Sequence, residues 1–157
     1  MQREPNNFCV NAGQIFIYSN IDTIPDNFGS YAGDGLGDGW QVQYFGLNNP
    51  QAGPNVDASG TGQTNMFKYV AGLVPTDPAS RFSVWVEPVP GQTAQVRVIF
   101  FPRLDGRTYT VKASPSLAAG SWAPLGSSST TDNGNERTVT DLNASGTKRF
   151  YTVEVQK

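Results

Sequence analysis

Two stretches of the chain repeat each other at an offset of 27 residues, and each is a glycine-turned loop leading straight into a short helical pattern. Gly33, Asp34, Gly35, Leu36, Gly37, Asp38, Gly39, Trp40 and Gln41 match Gly60, Thr61, Gly62, Gln63, Thr64, Asn65, Met66, Phe67 and Lys68. The repeat limits what this part of the chain can become. A helix of about two turns does not persist alone in water, so two such copies must pack on each other, with Trp40 and Phe67 at equivalent positions.

The rest of the chain reads differently. From Phe82 onward the apolar period becomes two: Phe82, Val84 and Val86 oppose Ser83, Trp85 and Glu87, and Val96, Val98 and Phe100 alternate with Arg97, Ile99 and Phe101. Pro90-Gly91 marks the turn between these strands. Thr108 to Ala113, Glu136 to Thr140 and Arg149 to Val155 are further strands, separated by Asp105-Gly106, the Ser121 to Thr131 region and Asn143 to Gly146. Residues 13 to 19 alternate as an additional strand near the start, with Ile15 and Ile17 on one side and Phe16 and Tyr18 on the other. The expected fold is mainly β with a small α part, an antiparallel β-sandwich beside a paired loop-helix module. Its divisions are 1–29 for an N-terminal strand and linker, 30–80 for the loop-helix module and 81–157 for the sandwich.

Composition narrows the chemistry. The chain has 157 residues, only 15% of them charged, with 17 Gly, 11 Pro and a net charge of -2. It has no basic stripe of the kind that binds a phosphate backbone, so nucleic acid is excluded as a partner. Histidine is absent, which removes the usual base of serine and cysteine nucleophiles and the commonest ligand of transition metals. Cys9 is the single cysteine, so neither an internal disulfide nor a thiolate cluster can form. No apolar run is long enough to span a bilayer, and the start carries no export signal.

Oxygen ligands remain, and the repeats supply them at alternate positions. Calcium takes about six to eight oxygens, and in a loop of this kind a glycine turns the chain at the sixth place. With Gly35 sixth, the first loop offers Asp34, the carbonyl of Leu36 and Asp38, whereas Ser30, Ala32 and Gln41 stand at positions one, three and twelve. With Gly62 sixth, the second offers Asp57, Ser59, Thr61, the carbonyl of Gln63 and Asn65, with Lys68 twelfth. Position twelve ordinarily holds a bidentate Glu; Gln41 removes that charge and Lys68 reverses it. Three arrangements are compatible with these residues: two weak sites, one site on which carboxylates of both loops converge, and turns held by hydrogen bonds alone. Asp22 and Asp26 can add carboxylates or cap turns.

The runs Gly39-Trp40-Gln41-Val42-Gln43-Tyr44-Phe45-Gly46, Asp57 to Asn65, Phe67-Lys68-Tyr69-Val70-Ala71-Gly72-Leu73 and Asp77-Pro78-Ala79-Ser80-Arg81-Phe82 resemble the dockerin-like or thrombospondin type-3-like calcium segment. Such segments lie near the C-termini of large secreted bacterial proteins, especially in Verrucomicrobia and their relatives. Arg107 to Val111, Ser121-Trp122, Arg137 to Asp141 and Arg149 to Val153 resemble the small β-domain that usually follows. The resemblance implies a noncatalytic, calcium-stabilised accessory or linker module, extracellular or periplasmic, attached to a larger parent protein. It also implies that the first residues are the last strand of an upstream domain, whose exposed edge would invite self-association.

Two other functions are compatible with the residues. A small calcium-dependent hydrolase of an ester or lactone would use the ion to polarise a carbonyl and Asp34, Asp38 or Asp57 to assist water. A glycan-binding module would present Trp85 or Trp122, although aromatic packing within the sheets is the simpler role for both.

Overall fold

The computed structural model describes residues 29–146 and 148–157. The strand expected at 13–19, Cys9, Asp22 and Asp26 lie outside the described residues. Residues 29–81 with 155–157 form one compact unit, and residues 82–154 belong to a second.

In the first unit a 3-10 turn, Gly29–Tyr31, precedes helix α1 (Asp38–Phe45); a second 3-10 turn, Pro50–Ala52, precedes helix α2 (Asn65–Ala71). Each helix stops at a glycine. Gly46 follows α1 at φ 77°, and its N–H donates to the carbonyl of Val42. Gly72 follows α2 in the left-handed conformation, φ 75° and ψ 29°, which an L side chain enters only at a cost of about 1–2 kcal/mol. At its other end, α2 is capped by the Thr64 hydroxyl, which accepts from Phe67 N at 3.3 Å. Trp40 of α1 meets Tyr69 of α2 edge-on, with ring centroids 5.2 Å apart, so the two helices do pack. Phe67 and Tyr69 stand two apart on α2 and face different ways around the helix, and Phe67 is itself buried.

The second unit is built on strands β1 (Ser83–Val89), β2 (Gln92–Phe101), β3 (Thr108–Ser114), β4 (Ala123–Pro124), β5 (Ser128–Asn133), β6 (Glu136–Asp141) and β7 (Phe150–Gln156), of which β7 belongs to this unit as far as Glu154. One sheet has the order β1-β2-β6-β5 and the other β4-β3-β7. The fold is thus mainly β with a small α part. Val86 stands opposite Val98, and Val98 opposite Val139, so an apolar row crosses β1, β2 and β6 of the larger sheet. Val98 and Phe100 are fully buried, as are Tyr151 and Val155. Complete burial of one such aliphatic or phenyl side chain contributes about 1.5–3 kcal/mol. Phe100 and Tyr109 bring the two sheets together at a centroid distance of 5.2 Å. Burial raises the Tyr109 phenol above its ordinary pKa despite nearby arginines.

The Ser121 to Thr131 region, expected to be a connection, holds β4 and most of β5. All six residues of β5 are exposed, so no alternation marks it as a strand. It is recruited by β6, with Thr130 opposite Val139 and Asp132 opposite Arg137. A buried carboxylate secures the end of β6. Asp141 accepts from Arg149 Nε at 2.7 Å, from the Tyr151 hydroxyl at 3.1 Å and from Asn143 N at 3.0 Å. Burial, then the Asp141 charge, pushes the Tyr151 phenol well above its usual range.

Candidate metal centre

The first loop folds around Asp34. Its Oδ1 accepts from Leu36 N at 2.9 Å, the local turn that a short acidic side chain favours. Its Oδ2 accepts from Gln41 Nε2 at 2.7 Å, and the same nitrogen donates to the carbonyl of Ala52 at 3.1 Å. Gln41 is completely buried, and its Oε1 has no hydrogen-bond partner. A buried carbonyl left in this way costs about 1–3 kcal/mol. Asp38 is buried at the start of α1, where the helix dipole favours a carboxylate. The Leu36 side chain is in the core at 1% exposure, which fixes its backbone between the two aspartates.

A cavity of about 240 Å³ opens beside Asp34, lined also by Ser30, Tyr31, Asn48 and Asn49. Ser30 Oγ donates to Asn48 Oδ1 at 3.0 Å. Tyr31 braces the wall: its hydroxyl donates to the carbonyl of Gly46 at 2.8 Å and accepts from Asn49 N at 2.7 Å.

The second loop closes on itself. Asp57 Oδ2 accepts from Gly62 N at 2.5 Å, and Oδ1 accepts from Thr61 N at 3.1 Å, with the hydroxyls of Thr61 and Ser59 at 3.4 and 3.5 Å. Burial alone would raise the pKa of Asp57; the amides of Gly62, Thr61 and Gly60 and the charge of Lys68 outweigh it and hold the carboxyl below the ordinary value. Lys68 has no exposed surface. Its Nζ donates to Ser59 Oγ at 2.6 Å, to the carbonyl of Asp77 at 3.2 Å and to the carbonyl of Val74 at 3.3 Å. Burial draws the Lys68 pKa below that of a free lysine, and Asp57 and Asp77 counter part of the fall.

Asn65, the ninth residue of the second loop, is turned to a different task. Its Nδ2 donates to the carbonyls of Gln51 at 2.7 Å and Gly53 at 2.9 Å, while its buried Oδ1 has no hydrogen-bond partner. Gln41 from the first repeat and Asn65 from the second therefore hold the same segment, residues 51–53. Gln63 is buried beside the glycine turn.

These contents distinguish the loops as cation sites. Among the described residues, no three side chains of His, Cys, Asp or Glu gather into a cluster, so Asp34, Asp38 and Asp57 do not form a convergent triad. The first loop carries oxygen groups of the kind a hard cation takes: two carboxylates, the Leu36 carbonyl and a buried amide oxygen with no other partner. The second loop does not fit a divalent ion, because an ammonium already lies against its third residue. Sequence reasoning took Lys68 only as a departure of the wrong sign. The signal that it belonged was its coincidence with Ser59 and Thr61, hydroxyls where an acidic loop would carry carboxylates.

The other predicted surfaces are placed more simply. Trp85 is half-buried on β1 opposite Ile99, and Trp122 is half-buried just before β4. Among the described residues no helix is long and apolar enough to cross a membrane. Comparison with family models, with curated proteins and with solved structures gives no match.

Proposed function

We propose that the chain is a noncatalytic, calcium-stabilised accessory module of an extracellular protein, with its ion in the first loop. The supporting observation is the Gln41 amide oxygen, buried without a partner while the rest of that side chain lies against Asp34. Asp34, the carbonyl of Leu36, Asp38 and Gln41 Oε1 are the residues that would hold the ion, and the adjoining cavity admits water to complete its shell. Bound there, calcium supplies positive charge to the loop and joins it to the start of α1. Asp34 and Asp57 are each committed to the backbone amides of their own loops, an arrangement suited to holding structure rather than to activating water.

The test is a thermal melt in calcium chloride and in EGTA, together with calorimetric titration. At 10 mM calcium, a dissociation constant of about 10⁻⁴ to 10⁻³ M corresponds to about 1.4 to 2.7 kcal/mol of added stability, or several degrees in Tm. Asp34→Ala removes the gain. Superimposable melting curves in calcium and EGTA refute the reading.

A further inference from the structure

We infer that the second loop carries its own permanent cation: the ammonium of Lys68 does the work that a divalent ion does in an acidic loop of the same length. The inference stands on the second loop alone and holds whether or not the first loop takes calcium.

An ammonium has three N–H donors, and all three are used here. Ser59 Oγ, Asp77 O and Val74 O receive them at 2.6, 3.2 and 3.3 Å. One acceptor lies in the loop before α2 and the other two lie in the turn after it, so a single group ties both ends of the helix. A calcium ion would organise such a loop by drawing several oxygens to one point; here a tethered charge does so with three.

The charge balance agrees. Asp57 is the sole carboxylate of its loop, at the first position. Ser59 accepts from Lys68 and donates to Asp57 at 3.5 Å, so a hydroxyl relays the ammonium to the carboxylate. One cation facing one anion leaves the loop neutral. The same loop with Asp at the third and fifth positions would hold three negative charges, and an ammonium with only three short-range donors would not match them. Hydroxyls at Ser59 and Thr61 are what a lysine at the twelfth place requires. A calcium ion added to this arrangement would meet a buried like charge at the spot it needs.

The experiment uses the whole chain with calcium chloride as the probe. Lysine acetylation of the native protein, read by mass spectrometry, should leave Lys68 protected while the exposed Lys148 and Lys157 react, and saturating calcium should leave that protection unchanged. In an Asp34→Ala background, which removes the first loop as a site, titration should detect no bound calcium. Adding Ser59→Asp, Thr61→Asp and Lys68→Glu to that background should create one site per chain and make Tm rise with calcium. Lys68→Met should lower Tm by about 5 °C or more, equally in calcium and EGTA. Acetylation of Lys68 at the rate of the exposed lysines, its exposure by calcium, calcium bound by the Asp34→Ala chain with Lys68 intact, or Lys68→Met melting as the parent does would each overturn the inference. Loss of the calcium response on Asp34→Ala alone bears on the first loop and leaves this result separate.

Discussion

Replacing Asn65 by Asp changes almost no volume and reverses the hydrogen-bonding sense of one buried group. In the native chain Nδ2 donates to two carbonyls, those of Gln51 at 2.7 Å and Gly53 at 2.9 Å. After Asn65→Asp an oxygen faces both. Losing two hydrogen bonds accounts for about 1–3 kcal/mol, and holding a carboxylate against carbonyl oxygens in a site without solvent exposure adds a comparable penalty. The total is about 2–6 kcal/mol near neutral pH, which for a chain of this length lowers Tm by about 4–24 °C.

The pH dependence of that loss follows from the same contacts. The introduced carboxyl escapes repulsion by taking up a proton, so its folded-state pKa lies above that of an unfolded Asp. Such a group is least harmful below the unfolded value, and the variant loses stability as pH rises through the window up to the folded pKa. Urea denaturation of parent and variant between about pH 3 and pH 8 measures the gap, which widens toward neutrality. Calcium provides the opposing test: were position nine a metal ligand, the extra carboxylate would strengthen binding, and calcium would restore the variant. A gap below about 1 kcal/mol at pH 7, or its closure by millimolar calcium, refutes the role assigned to Asn65.

Asp141→Ala removes the acceptor of Arg149, Tyr151 and Asn143 and should cost about 3 kcal/mol in urea denaturation, less than a fully buried pair because Arg149 retains some contact with water. Asp57→Asn should lower Tm at pH 7 and match the parent in strong acid. The folded pKa of Asp57 is depressed, so its contribution is present above the unfolded value of 3.8 and disappears as pH falls through the folded one. Tyr31→Phe should cost about 1–2 kcal/mol, since it deletes a donor to Gly46 and an acceptor for Asn49 without opening a cavity.

Much of the architecture was legible from local pattern. Gly46 and Gly72 mark helix ends because the chain must turn left-handed there, and the period of two from Val84 to Phe100 reports a sheet with one dry face. The polar edge strand β5 was not legible: Ser128 to Asn133 contains no apolar residue to reveal a period, and its pairing partner lies in β6. At the candidate site, the 27-residue offset correctly aligned Gln41 with Lys68, but alignment carries no sign. Whether a twelfth residue ligates an ion with its oxygen or supplies a cation in its place depends on which atoms the fold brings to it. For Lys68 two of the three are carbonyls of Val74 and Asp77, beyond the loop altogether. Asn65 escaped for a similar reason, because its partners lie 12 and 14 residues earlier in a connection with no motif of its own.

That connection has a practical consequence. Residues 51–53 are clasped by an amide from each repeat, so neither copy is a portable cassette: excised alone, each would leave its grip empty and its neighbour's carbonyls bare. Anyone transplanting this element to another scaffold must move both copies with the joint between them, and duplication can extend it only by whole pairs.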